Sequence, residues 1–167
     1  MLEAALLVVF PCLVAYAGMS DLFTMTIPNR VSLLLIAGFA ILAPFIGLTL
    51  TDIGLHLLMG AMVLVLCFGC FAMGWMGGGD AKIATAVGLW FGLSPAMLEF
   101  AVFASVYGGV LTLAIVYFRG VDYLPPILHN QRWVLQLHET SRGIPYGVAL
   151  ALAALQAYPH SVWFAAL

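Results

Sequence analysis

From Ile53 to Gly79 the chain reads IGLHLLMGAMVLVLCFGCFAMGWMGGG, without one charged residue, and Asp80 follows at once. A helix needs about 20 predominantly apolar residues to cross the hydrocarbon core of a bilayer. This run is long enough, and it puts an acid at the point where it ends. Working outward, similar runs flank it. Before it come Leu2–Met19, interrupted only by Glu3, and Val31–Leu50. After it come a short, small-residue run from Ala81 to Ser94-Pro95, then Ala96–Phe118 with Glu99 near its start, then Pro145–Leu167. The expected fold is all-α: a polytopic membrane protein of six transmembrane helices, one membrane-embedded domain over residues 1–167. Pro11 and Pro44 lie inside runs, which a bundle tolerates because neighbouring helices satisfy the freed carbonyls.

Composition agrees. Of 167 residues, 65% are hydrophobic and 7% charged, against about 25% charged in a typical soluble domain. A net charge of −2 and the lack of a basic cluster exclude a nucleic-acid partner. The bilayer is the expected surroundings. The N-terminus has an Ala15-Tyr16-Ala17 resembling a cleavage site, but Glu3 and the absence of early Lys or Arg are wrong for a secretory signal. It reads as a retained span. Cys67 and Cys70 form a CxxC inside an apolar run, where Cys behaves as a small hydrophobe.

Orientation follows from the basic residues. Arg30, Lys82, Arg119, Arg132 and Arg142 all fall in Ser20–Arg30, Met76–Lys82 or Arg119–Gly143, loops on one side of a six-span chain. By the positive-inside rule that side is cytoplasmic and both termini lie on the outer, periplasmic side. In the long third loop, Ile127 to Glu139 follows Pro125-Pro126 with loosely helical apolar spacing and Trp133. It reads either as a helix lying on the membrane or as an ordered polar connection.

Acids near a membrane core are costly and usually functional. Glu3, Asp52 and Glu99 fall at outer span ends and read as interfacial, while Asp122 and Glu139 fall in the long polar loop. Asp21 and Asp80 differ, because both stand at the same mouth, one closing the first span and one opening the fourth. Asp80 lies in GGGDAK, Gly77 to Lys82. Glycines there permit conformations and close approaches barred to other residues. Alone, Asp80 reads equally as an acid capping a helix start. Asp21 lies in SDLFTMTIPNR, Ser20 to Arg30. Alone, it reads as an interfacial acid before a turn at Ile27-Pro28-Asn29.

Together, SDxxxxxIPN and GGGDxK resemble the type IV prepilin peptidase family, membrane aspartic proteases of the GxGD class. Ile144-Pro145-Tyr146-Gly147, opening the last span, resembles that family's Pro–aromatic–Gly element. The resemblance covers nearly the whole chain. It implies Asp21 and Asp80 as the catalytic pair. Around them it implies supporting or substrate-binding places for Gly77, Gly78, Gly79, Lys82, Pro145, Tyr146 and Gly147. Lys82 would hold Asp80 by charge or meet lipid phosphate; Tyr146 would line the site or pack. The implied partner is a prepilin with a short basic leader and an apolar helix. It is cut at the cytoplasmic face of a bacterial inner membrane, for pilus biogenesis or secretion. The chain begins directly with its first span, without the cysteine-bearing insertion of larger members. In this it resembles the short, peptidase-only branch that serves Flp-type tight-adherence pili, so N-methylation of the product is not implied.

The chemistry needs one ionised carboxylate to take a proton from water and one protonated carboxyl to donate to the scissile carbonyl. Neighbouring carboxylates share one proton and titrate as a pair. No cofactor and no metal is called for, and His56, His129, His138 and His160 are dispersed. A competing class is a small transporter or channel component using membrane carboxylates, but it calls for acids at mid-span and none falls there. A non-catalytic scaffold explains the spans and leaves the paired motifs unexplained. Presenilin-like enzymes share GxGD but pair it with Tyr-Asp, where this chain has Ser20 before Asp21.

Overall fold

The computed structural model describes residues 1–121 and 131–167, and the elements among them are helical. They are α1 (Leu2–Thr24), α2 (Asn29–Phe45), α3 (Leu50–Ala72), α4 (Gly78–Phe91), α5 (Pro95–Arg119), α6 (Arg132–His138), α7 (Tyr146–Ala157), a 3-10 turn (Tyr158–His160) and α8 (Val162–Ala165). Among the described residues, four stretches are long and apolar enough to cross a membrane: α1, α3, α5 and the continuous stretch Tyr146–Ala165. The apolar α2 has 17 residues and α4 only 14.

Where elements begin and end differs from the hydropathy runs, for local reasons. The run Ile53–Gly79 is not one helix, because α3 stops at Ala72. Gly74 takes a left-handed φ of 74° there. The Gly74 N–H donates to Phe71 O and the Trp75 N–H to Cys70 O, both at 2.9 Å. This crossed pair is the Schellman ending that glycine makes easy. At its other end α3 starts three residues before the run, at Leu50. Thr49 and Asp52 form a reciprocal capping box, with Thr49 N–H to Asp52 Oδ2 at 3.0 Å and Asp52 N–H to Thr49 Oγ1 at 3.2 Å. Asp52 is therefore a capping acid. The last run breaks at the Tyr158–His160 turn, where Pro159 has no N–H to continue the ladder.

The helices sort into outer and inner ones. On α3, Leu57, Leu64, Val65 and Phe68 are exposed; on α5, Leu98, Val102, Val110 and Leu113 are exposed. Apolar faces of this size mark contact with lipid. In contrast, α4 buries every residue except Gly78, Gly79, Lys82 and Thr85. It packs most extensively on α3, then on α2 and α7, while α7 packs on α5 and α1. The α1–α7 approach is close: a Cβ at Gly18 would stand 2.7 Å from Ala151 Cβ. Small residues let helix backbones meet in this way where lipid supplies no hydrophobic drive between helices.

One end of the bundle is closed by aromatic rings. Trp90 and Trp163 are fully buried with ring centroids 4.4 Å apart. Trp90 Nε1–H donates to Leu35 O at 2.8 Å, Trp163 Nε1–H donates to Trp90 O, and Tyr158 OH donates to Leu6 O at 2.7 Å. Buried indole and phenol groups need such partners. Asp21 and Asp80 lie at the other end of α1 and α4. In the long loop, α6 buries Val134 and Leu137 and packs on α5 and α1. It is thus a helix seated on protein. The rest of that expectation, Ile127, Leu128 and Pro125-Pro126, lies outside the described residues, as do Asp122 and His129.

Candidate active site

The site begins with the turn that ends α1. Met25 takes a left-handed φ of 53° and its N–H donates to Asp21 O at 2.8 Å. Ser20 Oγ donates to Thr26 O at 2.8 Å, so the turn is tied from both sides. It delivers Ile27 as a wedge between two other elements. A Cβ on Gly79 would stand 3.2 Å from Ile27 Cβ, and one on Gly147 would stand 2.8 Å from Ile27 Cδ1. Pro28 then caps α2 in extended conformation. Asn29 Oδ1 accepts a hydrogen bond from Lys82 Nζ at 2.8 Å. The three sequence elements around Asp21, Asp80 and Gly147 therefore meet in space.

Both carboxylates are buried, Asp21 at 6% exposure and Asp80 at 8%. The Gly147 backbone N–H donates to Asp21 Oδ2 at 2.8 Å. Any Cβ at residue 147 would lie 2.8 Å from that same oxygen, so the bond exists because the residue is glycine. Asp80 is the third residue of α4, and its Oδ2 would stand 2.9 Å from a Cβ on Gly77, the N-cap. An acid at this position faces the N-terminal N–H groups of its helix. Its Oδ1 is buried with no hydrogen-bond partner among the described residues.

The pair sits between two cavities. The larger, of about 810 Å³, is walled by Cys70, Trp75 and Met76 on one side and by Arg119, Arg142, Ile144 and Tyr146 on the other. The smaller, of about 250 Å³, lies among Met25, Ile27 and Gly77 to Gly79. Asp21 and Asp80 line both. The larger volume is within the range of ligand clefts, about 300–1,000 Å³.

A strap from Leu137 to Gly147 forms one wall of the large cavity. Arg119, the last residue of α5, holds it: Nε donates to Leu137 O at 2.8 Å, and Nη2 donates to Arg142 O at 3.0 Å and Gly143 O at 2.9 Å. Tyr146 OH bonds Thr112 Oγ1 at 2.8 Å, and its ring lies against Gly108. Within the strap, Glu139 meets Arg142 Nε at 2.7 Å and Ser141 Oγ at 2.8 Å. These bonds, Arg142's first, hold its exposed carboxyl below the usual glutamate range.

Of the residues singled out in the sequence, Asp21, Asp80, Gly77 and Tyr146 line the large cavity. Gly147 supplies its N–H to Asp21. Pro145 is fully buried as the N-cap of α7. Gly78 and Gly79 are the first residues of α4 and line the smaller cavity. Lys82 goes to Asn29 and forms no ion pair with Asp80. Arg119, Cys70 and Ile27 also shape the site. Arg119 was legible only as an orientation charge, since gripping backbone carbonyls leaves no pattern in sequence. Cys70 sat in an apolar run that hid its place on the cavity wall. Among the described residues, no group of three or more His, Cys, Asp or Glu is arranged to hold a metal ion.

The sequence profile of the type IV leader peptidase family matches residues 8–113, a stretch that includes Asp21 and Asp80. No curated protein and no solved structure matches the chain.

Proposed function

The chain belongs to the type IV leader peptidase family, and from this we propose that it is a membrane aspartic endopeptidase whose catalytic pair is Asp21 and Asp80. The observation that carries the reading is the convergence of two buried carboxylates from separate helices on one cavity. Two such groups hold one proton between them. The ionised carboxylate takes a proton from water as the water oxygen attacks the scissile carbonyl carbon. The protonated carboxyl gives its proton to the carbonyl oxygen. Collapse of the tetrahedral intermediate breaks the C–N bond, and the leaving amine takes up a proton. The Gly147 N–H keeps the Asp21 carboxylate in position, and Asp80 borders the same cavity.

The substrate in this reading is a type IV prepilin of the Flp class. Its apolar helix lies in the bilayer beside the bundle, and its short basic leader enters the 810 Å³ cavity. The reading takes α2 and the enclosed α4 as the two further spans of a six-span bundle. Lys82, Arg119 and Arg142 gather at the carboxylate end, which favours a cytoplasmic site in a bacterial inner membrane, with both termini outside. The product is leader peptide plus mature pilin. Cleavage of a co-expressed Flp-type prepilin in membranes tests it. The wild-type chain processes the prepilin, and Asp21→Asn and Asp80→Asn insert normally and leave it uncut. Full processing by either variant rejects the assignment.

A further inference from the structure

We propose that Arg119 is a positioning residue for the catalytic pair, acting through the strap that carries Gly147; the inference rests on the proteolytic reading above. The geometry is specific. One guanidinium grips three backbone carbonyls, Leu137, Arg142 and Gly143, at 2.8, 3.0 and 2.9 Å. These carbonyls belong to the end of α6 and to the loop that leads directly into α7. Within four residues of the last of them, the same backbone presents the Gly147 N–H to Asp21 Oδ2 at 2.8 Å. Arg119 therefore links the end of α5 to the catalytic carboxylate without touching it.

The choice of side chain fits the task. Arginine presents several N–H donors in a fixed fork, whereas lysine is a point charge on a flexible stem. A fork can hold carbonyls separated along a turn and fix their relative direction. The three bonds are charge-assisted, the stronger kind. Arg119 and Arg142 both line the large cavity, but they do different things. Arg142 is bound inside the strap by Glu139, while Arg119 ties the strap to the bundle. Two further ties, His138 Nε2 with Val121 O at 3.0 Å and Tyr146 OH with Thr112 Oγ1 at 2.8 Å, are single bonds. With Arg119 gone, the strap keeps those two pins and loses the fork that fixes the carbonyls of residues 142 and 143.

The test is steady-state cleavage of a purified Flp-type prepilin by reconstituted wild-type, Arg119→Ala and Arg119→Lys enzymes. The expected result is a fall of about ten- to hundredfold in kcat for Arg119→Ala, the scale of losing bonds made to or by a charged group. KM stays near the wild-type value. Guanidinium at millimolar concentration restores part of the kcat of Arg119→Ala, which a merely structural loss would not show. Arg119→Lys, which keeps the charge but not the fork, falls between the two. A wild-type kcat in Arg119→Ala, or a loss confined to KM, overturns the inference while leaving the peptidase reading intact. Should Arg119→Ala fail to insert, wild-type kcat in Arg119→Lys overturns it as well. A wild-type enzyme that does not cleave prepilin defeats the peptidase reading itself.

Discussion

Replacing Gly147 with alanine tests how the carboxylate is held. The added methyl would lie 2.8 Å from Asp21 Oδ2, 2.9 Å from Asp21 Cβ and 2.8 Å from Ile27 Cδ1. Ordinary carbon contacts are about 3.5–4.0 Å, so the overlap with Ile27 alone is about 0.7–1.2 Å. Ile27 Cδ1 is the end of a flexible side chain bordering the smaller cavity and can turn aside, but the contacts to Asp21 remain. They are relieved when the Asp21 side chain swings away from the Gly147 N–H. A hydrogen bond to a charged group is worth about 1.5–3 kcal/mol. At 1.36 kcal/mol per tenfold, that is about a ten- to 150-fold fall in kcat. Overpacking would take a further 1–3 kcal/mol or so from stability. The assay is kcat for prepilin cleavage by reconstituted enzyme, with thermal melting alongside. Gly143→Ala is the internal control: it lines the same cavity, yet its added methyl meets nothing within 4 Å. Wild-type turnover in Gly147→Ala, or equal losses in both variants, would refute the reasoning.

Further expectations concern the pair and its surroundings. Asp21→Asn and Asp80→Asn each lower cleavage by at least about 10²–10⁴-fold while insertion, read by protease protection, is retained; a residual rate near wild type in either contradicts the pairing. Cleavage rate follows a bell in pH, falling on the acid side as the base takes up a proton and on the alkaline side as the acid loses its own. A profile with a single limb speaks against a shared proton. Lys82→Ala and Asn29→Ala each cost about 0.5–1.5 kcal/mol of stability, and the double variant costs no more than the larger single one, because both remove the same bond. Turnover stays near wild type in all three; a collapse of kcat in Lys82→Ala alone would mean that the ammonium serves Asp80 after all.

Hydropathy was a good guide to which segments are apolar and a poor one to where helices stop. The end of α3 was set by Gly74 adopting a left-handed turn and the start by a Thr49–Asp52 cap, local hydrogen-bond chemistry to which a hydropathy window is blind. The brevity of α4 was legible in its short run from Ala81 to Ser94-Pro95; hidden was that its apolar residues face protein rather than lipid, which composition does not distinguish. The site was more legible. Asp21, Asp80 and Gly147 stood in short motifs whose residue types are restricted by geometry, and the structure brings them together. Residues whose work is done through backbone groups were hidden. Arg119 grips carbonyls that every residue possesses, so nothing at positions 137, 142 or 143 advertises it. Ile27 was read as part of a turn because its wedge role depends on two glycines distant in sequence.

The seclusion of α4 bears on how the protein is made. At about 1.5 Å per residue its 14 residues extend about 21 Å, well under the roughly 30 Å that a hydrocarbon slab demands. Such a segment gains little by leaving the insertion machinery for lipid alone. In the six-span reading, α4 would therefore enter together with α3, its most extensive neighbour. The acid at its head then arrives in place only as the surrounding helices assemble. Because the N–H that holds Asp21 comes from Gly147 in α7, the site as described is complete only once that late segment has packed against α1.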